Sequence, residues 1–340
     1  MTIRNLSPSY HSLMELEAKE SSEKIANQLT KNKPIIEELA HQLIDYNPHS
    51  VMIVGRGSSD HAGVFAKYLI EIEVGIPTFA AAPSVTTIYN RQLNLQGCLV
   101  IIISQSGRSP DILEEARQCR ASGAFCVALL NDEKAPLAEL VDCVIPLRAG
   151  AEKSVAATKS FLATLSALLQ IVAYWQDNRE LQLALNDIPA ALTKIVESKT
   201  QLNFDDLDKT KNLIVLGRGL GFSICKEIAL KLKEVCSIHA EAFSSAEFLH
   251  GPVALAEHQL KIIVIEIDDE SNDVHSEIIE NVKQRGADLV YLNQDKQKLH
   301  PRIAPLVVLQ RFYLDIEKIA VSRGLNPDEP GGLNKVTETL

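Results

Sequence analysis

Two segments 162 residues apart carry the same message: Val51-Met-Ile-Val-Gly55-Arg-Gly57 and Leu213-Ile-Val-Leu-Gly217-Arg-Gly219. Each is a short apolar run that ends in two glycines and continues into a helical pattern. An apolar run of this length reads as a strand buried on both faces, and paired glycines allow the sharp turn that a helix start demands. One echoed tripeptide is weak support for duplication. The matching strand–turn–helix context predicts two related α/β domains.

The surrounding pattern agrees. Strands are predicted at Val51–Val54, Thr78–Ala81, Leu99–Ile103, Phe125–Leu130 and Val144–Leu147, and again at Ile262–Ile267 and Leu289–Leu292. Helices are predicted at Ser59–Glu73 and Pro110–Ala121, with a long helical stretch from about Thr158 to Val196. Apolar strands alternating with helices imply mostly parallel sheets covered on both faces, a three-layer α-β-α, flavodoxin-like architecture. The N-terminal stretch from His11 to Tyr46 is helical, and Pro34 is expected to divide it in two. Four regions follow: N-terminal helices at 1–48, a first domain at 49–200, a second at 201–323 and an irregular closing segment at 324–340.

Strand Leu99–Ile103 runs into Ser104-Gln105-Ser106-Gly107-Arg108-Ser109, and Pro110 opens the next helix. Such a loop directs backbone N–H groups and three hydroxyls at one point, beside the positive end of a helix. One capping serine would suffice for the helix alone; three hydroxyls and a glutamine favour a phosphate group. No lysine stands where a P-loop needs one, which argues against a nucleoside triphosphate. Ser58 and Ser59 lie on the other turn and are expected to serve the same ligand. A net charge of −10 argues against nucleic acid as a partner, and no run approaches the roughly 20 apolar residues of a membrane span. The six cysteines show no metal-binding spacing and sit in or beside apolar runs, as free thiols in a reducing compartment do. A cytoplasmic protein is expected.

A second constellation lies on Glu227-Ile-Ala-Leu-Lys231-Leu-Lys-Glu234, followed by His250-Gly251-Pro252. Glu227, Lys231 and Glu234 stand at i, i+4 and i+7 and share one helix face, while Ile228, Leu230 and Leu232 turn toward the core. Two carboxylates, a lysine and a nearby histidine are the parts needed to move protons. The same spacing also describes an exposed helix with an ordinary ion pair, worth a few tenths of a kcal/mol.

Taken together, these motifs resemble the sugar isomerase (SIS) domain family in its tandem form. The similarity extends from about Ser50 to Leu340. It rests on Gly55-x-Gly57-Ser58-Ser59, Ser104-Gln105-Ser106-Gly107, Val155-Ala-Ala-Thr158-Lys159, Lys231-Leu-Lys-Glu234, Ile238-His-Ala-Glu241, His250-Gly251-Pro252 and Asn334-Lys335. The nearest likenesses are the isomerase half of glutamine–fructose-6-phosphate aminotransferases and stand-alone glucosamine-6-phosphate deaminases.

The resemblance implies that Ser104, Gln105, Ser106 and Ser109 hold a sugar phosphate, with Ser58, Ser59 and Val155 also at the substrate. It implies that Glu234 moves a proton between C1 and C2, supported by Glu227 and Lys231. It gives His250 the ring-opening role, supplied across a homodimer interface, and Lys335 the closing of the pocket or an imine with a keto sugar. No metal or cofactor is implied.

Two departures bear on function. The aminotransferases begin with a catalytic cysteine in a glutaminase domain, whereas Thr2 follows Met1 here, which points to ammonia release rather than capture. Arg108 stands where the aminotransferases usually have an acidic residue. The expected activity is deamination of glucosamine 6-phosphate. Its rivals are a galactosamine-6-phosphate deaminase, a fructosamine-phosphate deglycase and an aldose–ketose isomerase, with a non-catalytic sugar-phosphate sensor least favoured.

Overall fold

In a computed structural model of the chain, which describes residues 11–333 and 335, both glycine turns take one backbone conformation. Gly57 has φ 55° and ψ −127°, and Gly219 has φ 52° and ψ −128°. Side chains other than hydrogen are strained there. A Cβ on Gly55 would lie 2.8 Å from the Ser59 carbonyl carbon, and one on Gly217 would lie 2.8 Å from that of Gly221. The sequence echo is thus a repeated backbone requirement: each strand must hand over to a helix packed against its own turn.

The chain divides into two compact units, and neither is contiguous. Among the described residues, one comprises Glu23–Glu152 and Lys159–Asn186; the other comprises residues 11–22, Lys153–Thr158 and 187–333 with Lys335. The first unit holds strands β1 (Ser50–Val54), β2 (Thr78–Ala80), β3 (Cys98–Ser104), β4 (Phe125–Leu130) and β5 (Cys143–Pro146). Their order is β2-β1-β3-β4-β5, and every pairing is parallel. Val51 pairs with Leu99 and Val54 with Ile102, so β3 runs two residues past the end of β1. All seven residues of β3 are buried, as a central strand covered on both faces requires.

The second unit holds β6 (Asn212–Gly217), β7 (His239–Ser244), β8 (Lys261–Ile265) and β9 (Asp288–Leu292), ordered β7-β6-β8-β9 and again parallel. The two sheets share one winding, with the first strand flanked by the second on one side and the third on the other. That reversal creates a crevice at the carboxyl ends of the first and third strands. The parallel α/β expectation holds in both units.

Pro34 does not divide the N-terminal helix. Ser21–Tyr46 is one helix with Pro34 inside it, and the break falls at Glu20 after the Leu13–Lys19 helix. Pro34 lies on the exposed side, so the carbonyl it leaves unpaired can face water. The buried side is anchored instead. Gln28 donates to the Leu147 and Ala163 carbonyls at 2.9 Å, and Asn32 to that of Pro146 at 2.7 Å. Ile25, Ile36, Leu39 and Leu43 are buried along the same side.

The stretch after Thr158 is three helices, Lys159–Trp175, Arg179–Leu185 and Ile188–Val196. The six cysteines are free thiols, five buried and Cys143 half-buried. No helix among the described residues is long and apolar enough to cross a membrane.

Candidate active site

The serine-rich loop sits where the first sheet places it, at the carboxyl end of β3 beside the Gly55–Ser59 turn that follows β1. Ser104 is buried, and its Oγ accepts the Gly107 N–H at 3.1 Å, closing the loop on itself. Gly107 has φ +62°, and a Cβ there would meet Ala135 Cβ at 2.7 Å and Leu130 Cδ2 at 2.9 Å. Glycine is therefore required both by conformation and by space. The Gln105 carbonyl accepts the Asn131 N–H at 3.2 Å.

Ser109 is the N-cap of the Pro110–Ala121 helix, yet its side chain makes no capping hydrogen bond. Gln105, Ser106 and Ser109 are half-buried, as are Ser58 and Ser59. The simple helix-capping account of these hydroxyls fails at Ser109. Arg108 donates to Asp132 Oδ2 at 2.7 Å, and both side chains are about half exposed.

A pairing not foreseen from sequence ties the two turns together. Arg56, between the two glycines, donates to Asp111 Oδ2 at 3.0 Å, and Asp111 is buried in the first turn of the helix after the serine loop. The ion pair fixes one turn against the other. Only the proximity of an arginine in one turn and an acid in the other could have signalled it, and that proximity is a property of the sheet order.

The acid–base face belongs to the second unit. The Leu220–Cys236 helix buries Glu227 and Lys231 completely, with Glu234 at 20% side-chain exposure. Lys231 Nζ lies 3.2 Å from Glu227 Oε1 and 2.6 Å from Glu234 Oε2. Tyr313 Oη is 3.5 Å from Glu227 Oε1. Burial by itself lowers the Lys231 pKa, but the two carboxylates outweigh it and raise the value above its ordinary position. Lys231 is therefore a fixed cation, and Glu234 is the member of the set that reaches solvent. The exposed-helix account of the spacing is excluded by this burial. Ile228 and Leu232 are buried as expected, and Leu230 is half-buried.

His250 follows the short Ser245–Phe248 helix and is exposed, its N–H bonded to the Glu247 carbonyl at 3.0 Å. Among the described residues, no hydrogen bond or ion pair joins it to Glu227, Lys231 or Glu234 within one chain. Val155 is half-buried, and its N–H donates to the Asp328 carbonyl at 2.9 Å. Lys335 Nζ donates to the Ser154 carbonyl at 2.5 Å. Asn334 lies outside the described residues. No cluster of metal-ligating side chains occurs among the described residues.

Comparison with known proteins places the chain in a family. The SIS domain pattern matches residues 46–174 and 206–298. The chain is 30% identical over 331 residues to the glutamine–fructose-6-phosphate aminotransferase (isomerizing) of Sulfurisphaera tokodaii, covering 93% of this chain and 54% of that protein. It spans about half the length of the curated relatives it matches. Among solved structures, a candidate phosphosugar isomerase from Silicibacter pomeroyi DSS-3 superposes with a TM-score of 0.87 at 33% identity, covering 94% of this chain and all of that one. The C-terminal domain of glucosamine-fructose-6-phosphate aminotransferase from Francisella tularensis gives 0.84 at 26% identity, over 96% of this chain and all of that domain. The chain belongs to the SIS domain family, as a relative of the isomerase half of the glutamine–fructose-6-phosphate aminotransferases.

Proposed function

We propose that the chain is a glucosamine-6-phosphate deaminase, converting that sugar and water to fructose 6-phosphate and ammonia. The observation that carries the reading is the buried Glu227–Lys231–Glu234 set, which presents one carboxylate to solvent with a protonated lysine at its back. Such a carboxylate can take a proton from carbon and return it to the neighbouring carbon without leaving its position.

The steps follow from that role. His250 helps to open the pyranose and expose the C1 aldehyde. Glu234 removes the C2 proton, giving an enolamine, and delivers it to C1, leaving an imine at C2. Water adds to the imine carbon, and ammonia departs. The serine loop is the element suited to the 6-phosphate, because it combines hydroxyls, free loop amides and a helix start. Lys335 closes over the sugar or holds its keto form as an imine. Hydrolysis requires no co-substrate beyond water.

The working form in this reading is a homodimer in which His250 is supplied by the neighbouring subunit, consistent with its exposure and with its making no hydrogen bond or ion pair to the carboxylates among the described residues of one chain. The free thiols fit a cytoplasmic enzyme.

Ammonia release from glucosamine 6-phosphate, with galactosamine 6-phosphate and a Glu234→Gln variant in parallel, tests the proposal. Release from the gluco sugar that is lost in the variant supports it. Preference for the galacto sugar changes the substrate and keeps the mechanism. Absence of ammonia from both, with interconversion of unaminated aldose and ketose phosphates, would assign a plain isomerase.

A further inference from the structure

The segment that carries Val155 is held by hydrogen bonds from two distant parts of the chain. Glu17, on the Leu13–Lys19 helix, is 5% exposed, and its carboxylate accepts two successive backbone N–H groups: Lys153 at 2.5 Å and Ser154 at 3.2 Å. The next N–H, that of Val155, donates to the Asp328 carbonyl at 2.9 Å. The Asp328 side chain reaches back to the Leu13–Lys19 helix, accepting from the Leu13 N–H at 2.9 Å and the Met14 N–H at 2.8 Å. Ser154 Oγ donates to the Pro327 carbonyl at 3.4 Å. Ser12 caps the same helix and donates to Glu317 at 2.7 Å. Helix, segment and tail thus form one closed set of bonds within the second unit.

The set has a chemical endpoint. The peptide group joining Ser154 and Val155 has its N–H fixed by Asp328, and its C=O receives the Lys335 ammonium at 2.5 Å. The direction of that carbonyl depends on the preceding two amides, which Glu17 holds. A carboxylate accepting two backbone N–H groups makes charge-assisted bonds, stronger than neutral ones. Its replacement by an amide removes the charge and turns a donor toward two donors.

We propose that Glu17 is a positioning residue, which aims the Ser154 carbonyl so that it parks the Lys335 amine and fixes Val155. The inference deepens the functional reading above and rests on it only for the catalytic consequence. Parking itself is a property of the folded chain. Lys335 leaves the Ser154 carbonyl when it engages substrate, so Glu17 governs the exchange between the two positions without touching the sugar.

The test separates the two claims. Acetylation of the full-length protein with N-hydroxysuccinimidyl acetate, read at Lys335 by peptide mass spectrometry, measures parking without any substrate. Glu17→Gln is expected to speed Lys335 labelling roughly tenfold, the worth of one charge-assisted hydrogen bond. Glu17→Asp, which keeps the charge, recovers part of the protection, and Glu234→Gln leaves labelling unchanged. With glucosamine 6-phosphate, Glu17→Gln lowers kcat more than it raises KM. A Lys335 labelling rate in folded Glu17→Gln within twofold of the parent, on the order of experimental scatter, overturns the proposal. If that variant does not fold, amide exchange in the unmutated protein decides. Lys153, Ser154 and Val155 must be protected together, and exchange at the rate of open loop amides overturns the proposal. A labelling change without any sugar turnover keeps the parking and removes only the deaminase reading.

Discussion

Replacing Lys231 with methionine tests the buried acid–base set most severely. The substitution preserves the apolar stem and deletes the charge that lies between Glu227, fully buried, and Glu234. Removing one partner of a buried ion pair costs about 3–5 kcal/mol, chiefly because an uncompensated charge stays behind. The distances of 3.2 and 2.6 Å place this lysine at the upper end of that range, since two carboxylates lose their counter-ion at once. With a urea slope of about 2 kcal/mol/M, the unfolding midpoint of the affected unit falls by roughly 1.5–2.5 M at pH 7.

The pH dependence supplies the sign. Without Lys231, Glu227 is a buried carboxylate that takes up a proton more readily when folded than when unfolded. The folded variant then binds more protons, so its stability recovers as pH falls toward 5. In the parent, the raised Lys231 pKa gives stability that is fully present below the ordinary lysine value and lost only as pH rises through the folded one. The gap between variant and parent therefore narrows on acidification. Urea titrations at pH 8, 7, 6 and 5 measure it. A midpoint shift below about 0.5 M, or a gap that widens on acidification, would refute the argument.

Three further expectations follow from separate parts of the molecule. Gly107→Ala should cost about 1–3 kcal/mol through its positive φ and abolish calorimetric binding of a sugar phosphate; Gly219→Ala, at the positive-φ turn of the other sheet that matches Gly57, should strain the chain and leave that binding intact. His275 is buried with its pKa lowered, chiefly by burial, which outweighs the raising effect of the Ile265 backbone; Arg218 lowers it further and Asp269 raises it, each by less. Its folded value lies below the unfolded one, so stability is full above about pH 6.5 and lost as pH falls. Urea midpoints for His275→Leu should show a shallower decline between pH 7 and 5 than the parent, and an unchanged slope would remove His275 from the account. Mixing Glu234→Gln with His250→Ala protein should restore turnover if each site draws on two subunits; no recovery, with subunit exchange verified, contradicts a shared site.

Much of this architecture is legible in the sequence because a few residues obey strong local rules. The glycine turns were readable since Gly57 and Gly219 occupy backbone conformations closed to other residues. The Pro110–Ala121 helix matches its expected bounds because proline and the preceding serine mark its start. Pro34 misled for the opposite reason: the proline rule is local, and the anchors that keep its helix intact, Gln28 and Asn32, act on carbonyls more than 100 residues away.

Strand β7 went unread because His239-Ala-Glu-Ala-Phe-Ser244 alternates in polarity at a sheet edge and lacks a continuous apolar run. The candidate site divides in the same way. Glu227, Lys231 and Glu234 share a helix face, so periodicity alone brings them together. The hydrogen bonds of Glu17 and Asp328 in one unit and the Arg56–Asp111 pair in the other form through the fold, and no spacing in the chain announces them.

Hydrogen exchange at sugar carbon tests the central claim most directly, because it registers proton transfer whether or not ammonia leaves. Fructose 6-phosphate incubated with the enzyme in D2O, followed by NMR at C1, should gain deuterium with the parent protein. Glu234→Gln should give no exchange while still binding the sugar phosphate. Exchange that persists in Glu234→Gln would contradict Glu234 as the base, and sugar bound by the parent without any exchange would contradict proton transfer between C1 and C2 altogether.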